Sequence, residues 1–361
     1  MKINKTKDTL KSPPNEHNGA VQRYSNLELL RIVAMLVIVM HHYVVNSGLK
    51  QVIYDNPDNF NSLLLLILGW GGKTAINCYI FITGYFMCKK NITAKKFAKL
   101  VFEVLFYNII IYALFIISGY EAFNLKVCIK NILPITSIAH DFTSAFLVFY
   151  LFIPFLNIFI KAMTKKQHLL LVSLLLCVYS IWASLNFDVI FNYVTWFCIL
   201  YFVASYYRFY KNFYFLNKKY YKYFLFTTLV LSWLSIVVLV YVAPLIGKNY
   251  GIAYFLVSDS NKILAVITAI AAFMYFKNLD IGYNKWINKI AASTFGVLLI
   301  HANSDTMRQW LWKDTLNNVG WYGHSLEFIH LFASVISIYV ICTLIDMARI
   351  KFVERKIFKN Y

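Results

Sequence analysis

Charge is scarce in this chain. Asp, Glu, Lys and Arg make up 14% of its 361 residues, well below the ~25% usual in soluble domains. A soluble two-domain enzyme of this length is thereby excluded. Acidic residues are scarcest, 16 against 35 Lys and Arg, which leaves a net charge of +19. An excess of this size first suggests nucleic acid. The basic residues form no single patch, however, and fall in short clusters between apolar runs, as the positive-inside rule describes. No nucleic-acid partner is therefore expected. Cysteine is also sparse: Cys78, Cys88, Cys128, Cys177, Cys198 and Cys342 lack metal-type spacing and mostly fall within apolar runs. They read as small core residues, with no disulfide framework and no metal site. No internal repeat and no polar stretch long enough for a soluble domain is present.

What the chain has in abundance is apolar length. It is 60% hydrophobic, and runs of about eighteen or more apolar residues recur along it, the mark of membrane-spanning helices. The expected fold is all-α: a polytopic transmembrane helical bundle of about ten spans. These are 27–45, 62–88, 97–118, 142–163, 168–186, 192–209, 222–246, 260–277, 286–302 and 325–348. With the N-terminus in the cytoplasm, 26 Lys and Arg fall on the cytoplasmic side and 7 outside. That bias supports both the spans and an orientation with both termini cytoplasmic.

Residues 1–25 are expected to be a disordered basic cytoplasmic tail, 26–350 the transmembrane domain and 351–361 a second basic cytoplasmic tail. The first apolar run is span-length with no small-residue cleavage site after it, so it reads as an uncleaved anchor. Tyr206, Tyr207, Tyr210, Tyr214, Tyr220 and Tyr221 stand beside lysines, as an interfacial aromatic belt would.

Within the spans, a few polar residues need a reason. Arg31 and His42 lie eleven residues apart in the first apolar run. On a helix this is just over three turns, so both project from one face about 16 Å apart along the axis. A guanidinium inside a span costs on the order of 2.5–3.5 kcal/mol at mid-bilayer unless it serves a site. The bland alternative makes Arg31 an i,i+3 partner of Glu28 at an interface and His42 a residue of the aqueous rim. His41 points about 100° away from His42 and reads as a bystander. In the second span, Lys73, Asn77 and Gly84 share a face, and Gly69, Gly71 and Gly72 mark either a broken helix or close helix packing. Thr83-Gly84 alone reads as a packing motif. His301 ends the ninth span in the same outer half as His42. Glu103, Asn108 and Asn157 read as hydrogen-bonding glue between helices.

Three segments together resemble the acyltransferase-3 family, bacterial integral-membrane enzymes that acylate cell-envelope sugars. The first is Arg31 and His42 with ten residues between them. The second is Gly72-Lys73-Thr74-Ala75-Ile76-Asn77 with Phe81-Ile82-Thr83-Gly84-Tyr85-Phe86. The third is Ser293-Thr294-Phe295-Gly296-Val297-Leu298-Leu299-Ile300-His301, followed by Arg308 and Trp310. The resemblance runs from residue 26 to about 350. The chain departs from it at His140-Asp141-Phe142, where many relatives carry a tryptophan-led motif, and at Leu299, where an aromatic is usual.

The resemblance implies a protein of the bacterial plasma membrane that moves an acetyl group from cytoplasmic acetyl-CoA to a hydroxyl of an envelope glycan or lipid-linked saccharide. Acetyl-CoA is then a substrate, and no bound cofactor is expected. Arg31 would meet a CoA phosphate. His42 would act as general base or carry the acetyl group covalently. Lys73, Asn77, Thr83, His301 and Arg308 are candidates for acceptor or oxyanion contacts. The competing reading is a transporter or flippase for a lipid-linked saccharide. Such proteins often show interrupted spans in matching halves, and only one candidate interruption, Gly71-Gly72-Lys73, is visible in the sequence.

Overall fold

A computed structural model describes residues 24–135, 141–210 and 218–359. The tail expected over 1–25 lies almost wholly outside the described residues, as do His140 and Tyr214. The described residues form helices and turns, with no strand among them.

Among the described residues, fifteen α-helices precede a short last one at Arg355–Ile357. They are α1 Ser25–Val45, α2 Leu49–Asp55, α3 Phe60–Gly69, α4 Gly72–Met87, α5 Ala94–Ile117, α6 Leu125–Ile132, α7 Phe142–Ala162, α8 Lys165–Leu176, α9 Tyr193–Phe209 and α10 Tyr221–Val242, then α11 Ile263–Lys277, α12 Lys285–Ala291, α13 Thr294–His301, α14 Asp305–Arg308 and α15 Glu327–Arg349. Many begin where a short polar side chain can satisfy the free amides of the first turn. Thr93, Asn124, Asp141, Asn192, Asn284 and Ser304 each accept a backbone N–H at the start of the following helix. Thr164 and Gln167 close a reciprocal capping box at α8.

Six helical stretches are long and apolar enough to cross a membrane: Ser25–Val45, Phe60–Met87, Ala94–Ile117, Phe142–Ala162, Lys218–Val242 and Glu327–Ile357. The four other expected spans are helical but shorter or interrupted. The segment 168–186 becomes a π-helix at Cys177–Trp182. Helices α9 and α11 have 17 and 15 residues, and the segment 286–302 is divided between α12 and α13.

Helix α1 is the axis of the molecule, in contact with α3, α4, α11, α12, α13 and α15. Leu27, Leu30, Ala34, Ile38, Val39 and Tyr43 recur at helical spacing along it, and all are buried. Glycine permits the tightest approaches. A Cβ at Gly72 would overlap the His41 ring, and one at Gly71 would overlap Val37. The glycines of the second span therefore do both things expected of them, breaking the helix between α3 and α4 and admitting α1.

A second interruption, at Ala292-Ser293, separates α12 from α13. It corrects the expectation of a single broken span. Here Gly296 brings α13 against α15, where a Cβ would overlap Asp346.

Behind that contact lies a buried ionic cluster. Arg349 pairs with Glu103 at 3.0 Å, Asp346 at 2.8 Å and Glu354 at 2.9 Å. Lys99 reaches Glu354, and the Tyr107 hydroxyl donates to Asp346. Glu103 is thus one arm of an ion cluster joining α5 to α15. The segment expected as a tail from 351 continues α15 through a π-helix, Ile350–Glu354, which returns Glu354 to Arg349.

Candidate active site

A cavity of about 780 Å³ opens beside the upper half of α1, meaning the half that carries His42. It is walled by Met35, Ile38, His41 and His42 of α1 and by Lys73, Ile76 and Tyr79 of α4. Asn108 and Tyr112 of α5, the start of α7, Tyr193, and Asn303 to Arg308 complete it. The break between α3 and α4 borders this space, with Gly72 and Lys73 in its wall, and lets α1 approach. Helix α13, which follows the second break, adds Phe295, Leu298 and Leu299.

At its centre, His42 Nδ1 lies 3.0 Å from His301 Nε2. His301 is fully buried behind it, and its Nδ1 lies 2.6 Å from the carbonyl of Val297, one turn back on α13. A carbonyl can only accept, so His301 carries its proton on Nδ1 and, when neutral, presents an unprotonated Nε2. His42 Nδ1 must then donate to it. The lone pair of His42 is left on Nε2, which makes no hydrogen bond among the described residues. A backbone carbonyl thus fixes one imidazole, and that imidazole fixes the tautomer of the next. The arrangement yields a ring nitrogen able to accept a proton or attack a carbonyl.

Two cations, Lys73 and Arg308, line the same cavity as His42. Lys73 donates to the Tyr193 hydroxyl at 2.6 Å, with its ammonium 5.3 Å from the ring centroid. A cation in the first turn of a helix is opposed by the helix dipole, and Tyr193 offsets that cost from across the cavity. Arg308 pairs with the exposed Asp305 at 2.6 Å, and its Nε is buried without a hydrogen-bond partner among the described residues. Positive charge in the wall shared with His42 suits an oxyanion that forms in the cavity.

The other expected residues lie elsewhere. Arg31 pairs with Glu28 at 3.3 Å, as the simple interfacial reading has it. Among the described residues it is linked by hydrogen bond to the cavity wall through Tyr79, whose hydroxyl donates to the Arg31 carbonyl at 3.2 Å. Asn77 is fully buried between the Trp196 indole N–H at 3.0 Å and the Ser260 carbonyl at 2.7 Å. The Thr83 hydroxyl donates to the Tyr79 carbonyl of its own helix. His41, expected to be a bystander, does line the cavity. Its Nδ1 sits 2.5 Å from the Gly69 carbonyl, one of the acceptors left open where α3 ends. Tyr193 and Asn303 also belong to the wall without having been singled out. Asn303 donates to Asn108 and to the Leu299 carbonyl.

A family model described as an acyltransferase domain matches residues 24–347. The chain belongs to the acyltransferase-3 family. The match covers every helix from α1 to all but the last residues of α15, so the two-histidine cavity lies inside it. No curated protein and no solved structure matches the chain. With its apolar helices, family membership makes this protein a membrane-embedded acyltransferase.

Proposed function

We propose that this acyltransferase moves an acetyl group from cytoplasmic acetyl-CoA to a hydroxyl of a cell-envelope glycan or its lipid-linked precursor, in the bacterial plasma membrane with both termini cytoplasmic. The observation that carries the proposal is the 3.0 Å contact of His42 with His301 beside a cavity that His42, Lys73 and Arg308 all line, which leaves His42 Nε2 without a hydrogen-bond partner among the described residues. In this reaction His42 Nε2 takes the proton of the acceptor hydroxyl as its oxygen attacks the thioester carbonyl. Lys73 and Arg308 stabilise the tetrahedral oxyanion. The carbon–sulfur bond then breaks, and the departing CoA thiolate takes the proton back from His42. Covalent acetyl-His42 is the variant route, in which the same nitrogen attacks first.

Arg31 stands about 16 Å along the same unbroken helix, a separation comparable to an extended pantetheine arm. A guanidinium there suits a CoA phosphate. Asn77 and Thr83 support the α4 wall rather than touching substrate. The assay is transfer of labelled acetyl from acetyl-CoA to membrane glycan by the purified protein in lipid. Transfer is expected from wild type and none from His42→Ala at equal expression. Wild-type rates from His42→Ala would remove the assigned role.

The two interrupted helices, α3–α4 at the cavity and α12–α13, favour a second reading, a transporter or flippase for a lipid-linked saccharide. In that case the label stays on CoA while the saccharide changes leaflet.

A further inference from the structure

Helix α6 has two unlike faces. Val127, Lys130 and Asn131, with Pro134 beyond the helix end, line the cavity. At about 100° per residue these positions cluster on one side. Leu125, Ile129 and Ile132 fall on the opposite side and are 64%, 48% and 51% exposed. The segment is too short to span a membrane, yet it lies between α5 and α7, both of which are long and apolar enough to do so.

Its depth is set by α5. The Tyr112 hydroxyl accepts from the Asn124 amide at 2.9 Å and donates to the Asn124 carbonyl at 3.0 Å, which holds the start of α6. Asn108 donates to the Asn131 carbonyl at 3.3 Å, which holds its end. These tethers place α6 alongside the last two to three turns of α5, where Ile109, Ile110, Leu114 and Ile117 are all exposed. The outward face of α6 therefore continues the apolar surface of a membrane helix. Its only charges are Lys126 and Lys130, both exposed. Both fall beyond one edge of the apolar stripe, and an apolar stripe beside lysines is the pattern of a helix lying in a lipid interface and attracted by acidic headgroups.

We propose that α6 docks in the headgroup–acyl boundary of the bilayer, Leu125, Ile129 and Ile132 in lipid, and is the one-helix wall between the His42 cavity and the membrane. This placement holds whichever reaction the cavity performs. It makes the membrane plane, rather than bulk water alone, a neighbour of the site.

The test uses the full chain in nanodiscs containing phosphatidylglycerol, with Cys128, Cys177 and Cys198 replaced by Ser. Spin labels are placed singly through Ile129→Cys, Ile132→Cys and Lys130→Cys. The ratio of oxygen to nickel-chelate accessibility is expected to be severalfold higher at 129 and 132 than at 130. Equal ratios would place the stripe in water, and closure of 129 and 132 to both reagents would place it under protein, a second copy included. Either result overturns the proposal. Wild-type protein supplies a measurement free of folding artefacts. Deuterium uptake over 125–132 is expected to slow when neutral phosphatidylcholine nanodiscs are replaced by phosphatidylglycerol ones, and unchanged uptake counts against docking.

Discussion

His301 governs His42 through a single nitrogen, so its removal separates orientation from binding. His301→Ala deletes the acceptor for the His42 Nδ1–H and frees the ring to adopt the other tautomer. The expected cost is about 10²–10⁴-fold in kcat, with little change in KM for acetyl-CoA, measured by steady-state transfer in lipid. Arg31→Ala should act in the opposite sense, raising KM for acetyl-CoA while sparing kcat at saturation. Asn77→Ala tests a different role. It strands the Trp196 indole N–H in the core and should lower stability by about 1–3 kcal/mol, read as thermal unfolding in detergent, without a comparable loss in kcat.

The sequence carried the His42–His301 pairing as a shared depth in two spans, but the contact itself depends on α13 lying against α1. His41 was misread because a helical wheel knows only its own helix. The acceptor it meets is the Gly69 carbonyl, freed by a break in a neighbour. Asn77 and Thr83 share the family motif with Lys73, but Asn77 faces packed protein and Thr83 lies a turn beyond Tyr79, the last α4 residue in the cavity wall.

The broken helices are where elements decide function. Gly71-Gly72 announced the first break, since paired glycines both interrupt a helix and admit a neighbour. The second break lies in Ala291-Ala292-Ser293-Thr294, where neither glycine nor proline marks it. Ser293 stands at the start of α13, a residue type common there, but its hydroxyl makes no capping hydrogen bond among the described residues. Gly296→Ala probes the α13–α15 contact. Its Cβ would overlap Asp346, so α13 must move and carry His301 with it. Activity should fall by at least about tenfold even in protein that still folds, given how steeply rates depend on such placements. At the other end of α15, Arg349 is 2% exposed among three carboxylates. Arg349→Ala leaves Glu103 and Asp346 without a cationic partner in the interior, Glu354 keeping Lys99, and should cost about 3–5 kcal/mol, seen as lost yield or a lowered Tm.

At the scale of the whole molecule, apolar run length was enough to recognise a membrane-embedded helical bundle. The segments that failed the span criterion are the ones shaped by contacts rather than by composition: α9, α11 and the α12–α13 pair all pack against other helices. Charge asymmetry remains the basis for placing both termini in the cytoplasm, and tags at each end should be protected equally from protease added outside intact cells. Mass spectrometry of the surface polysaccharide should show O-acetyl groups that disappear when this protein is absent and return with wild type but not with His42→Ala.

Helix α1 runs unbroken for 21 residues while partners on both sides are interrupted. On the proposed reaction it would serve as a measuring rod of fixed length between the guanidinium and the imidazole. A donor would then need an arm long enough to be gripped at one end and react at the other. Truncated thioesters such as S-acetylcysteamine should be spent poorly, and adding free 3′,5′-ADP should not restore them, because the two ends of the gauge have to be occupied by one connected molecule.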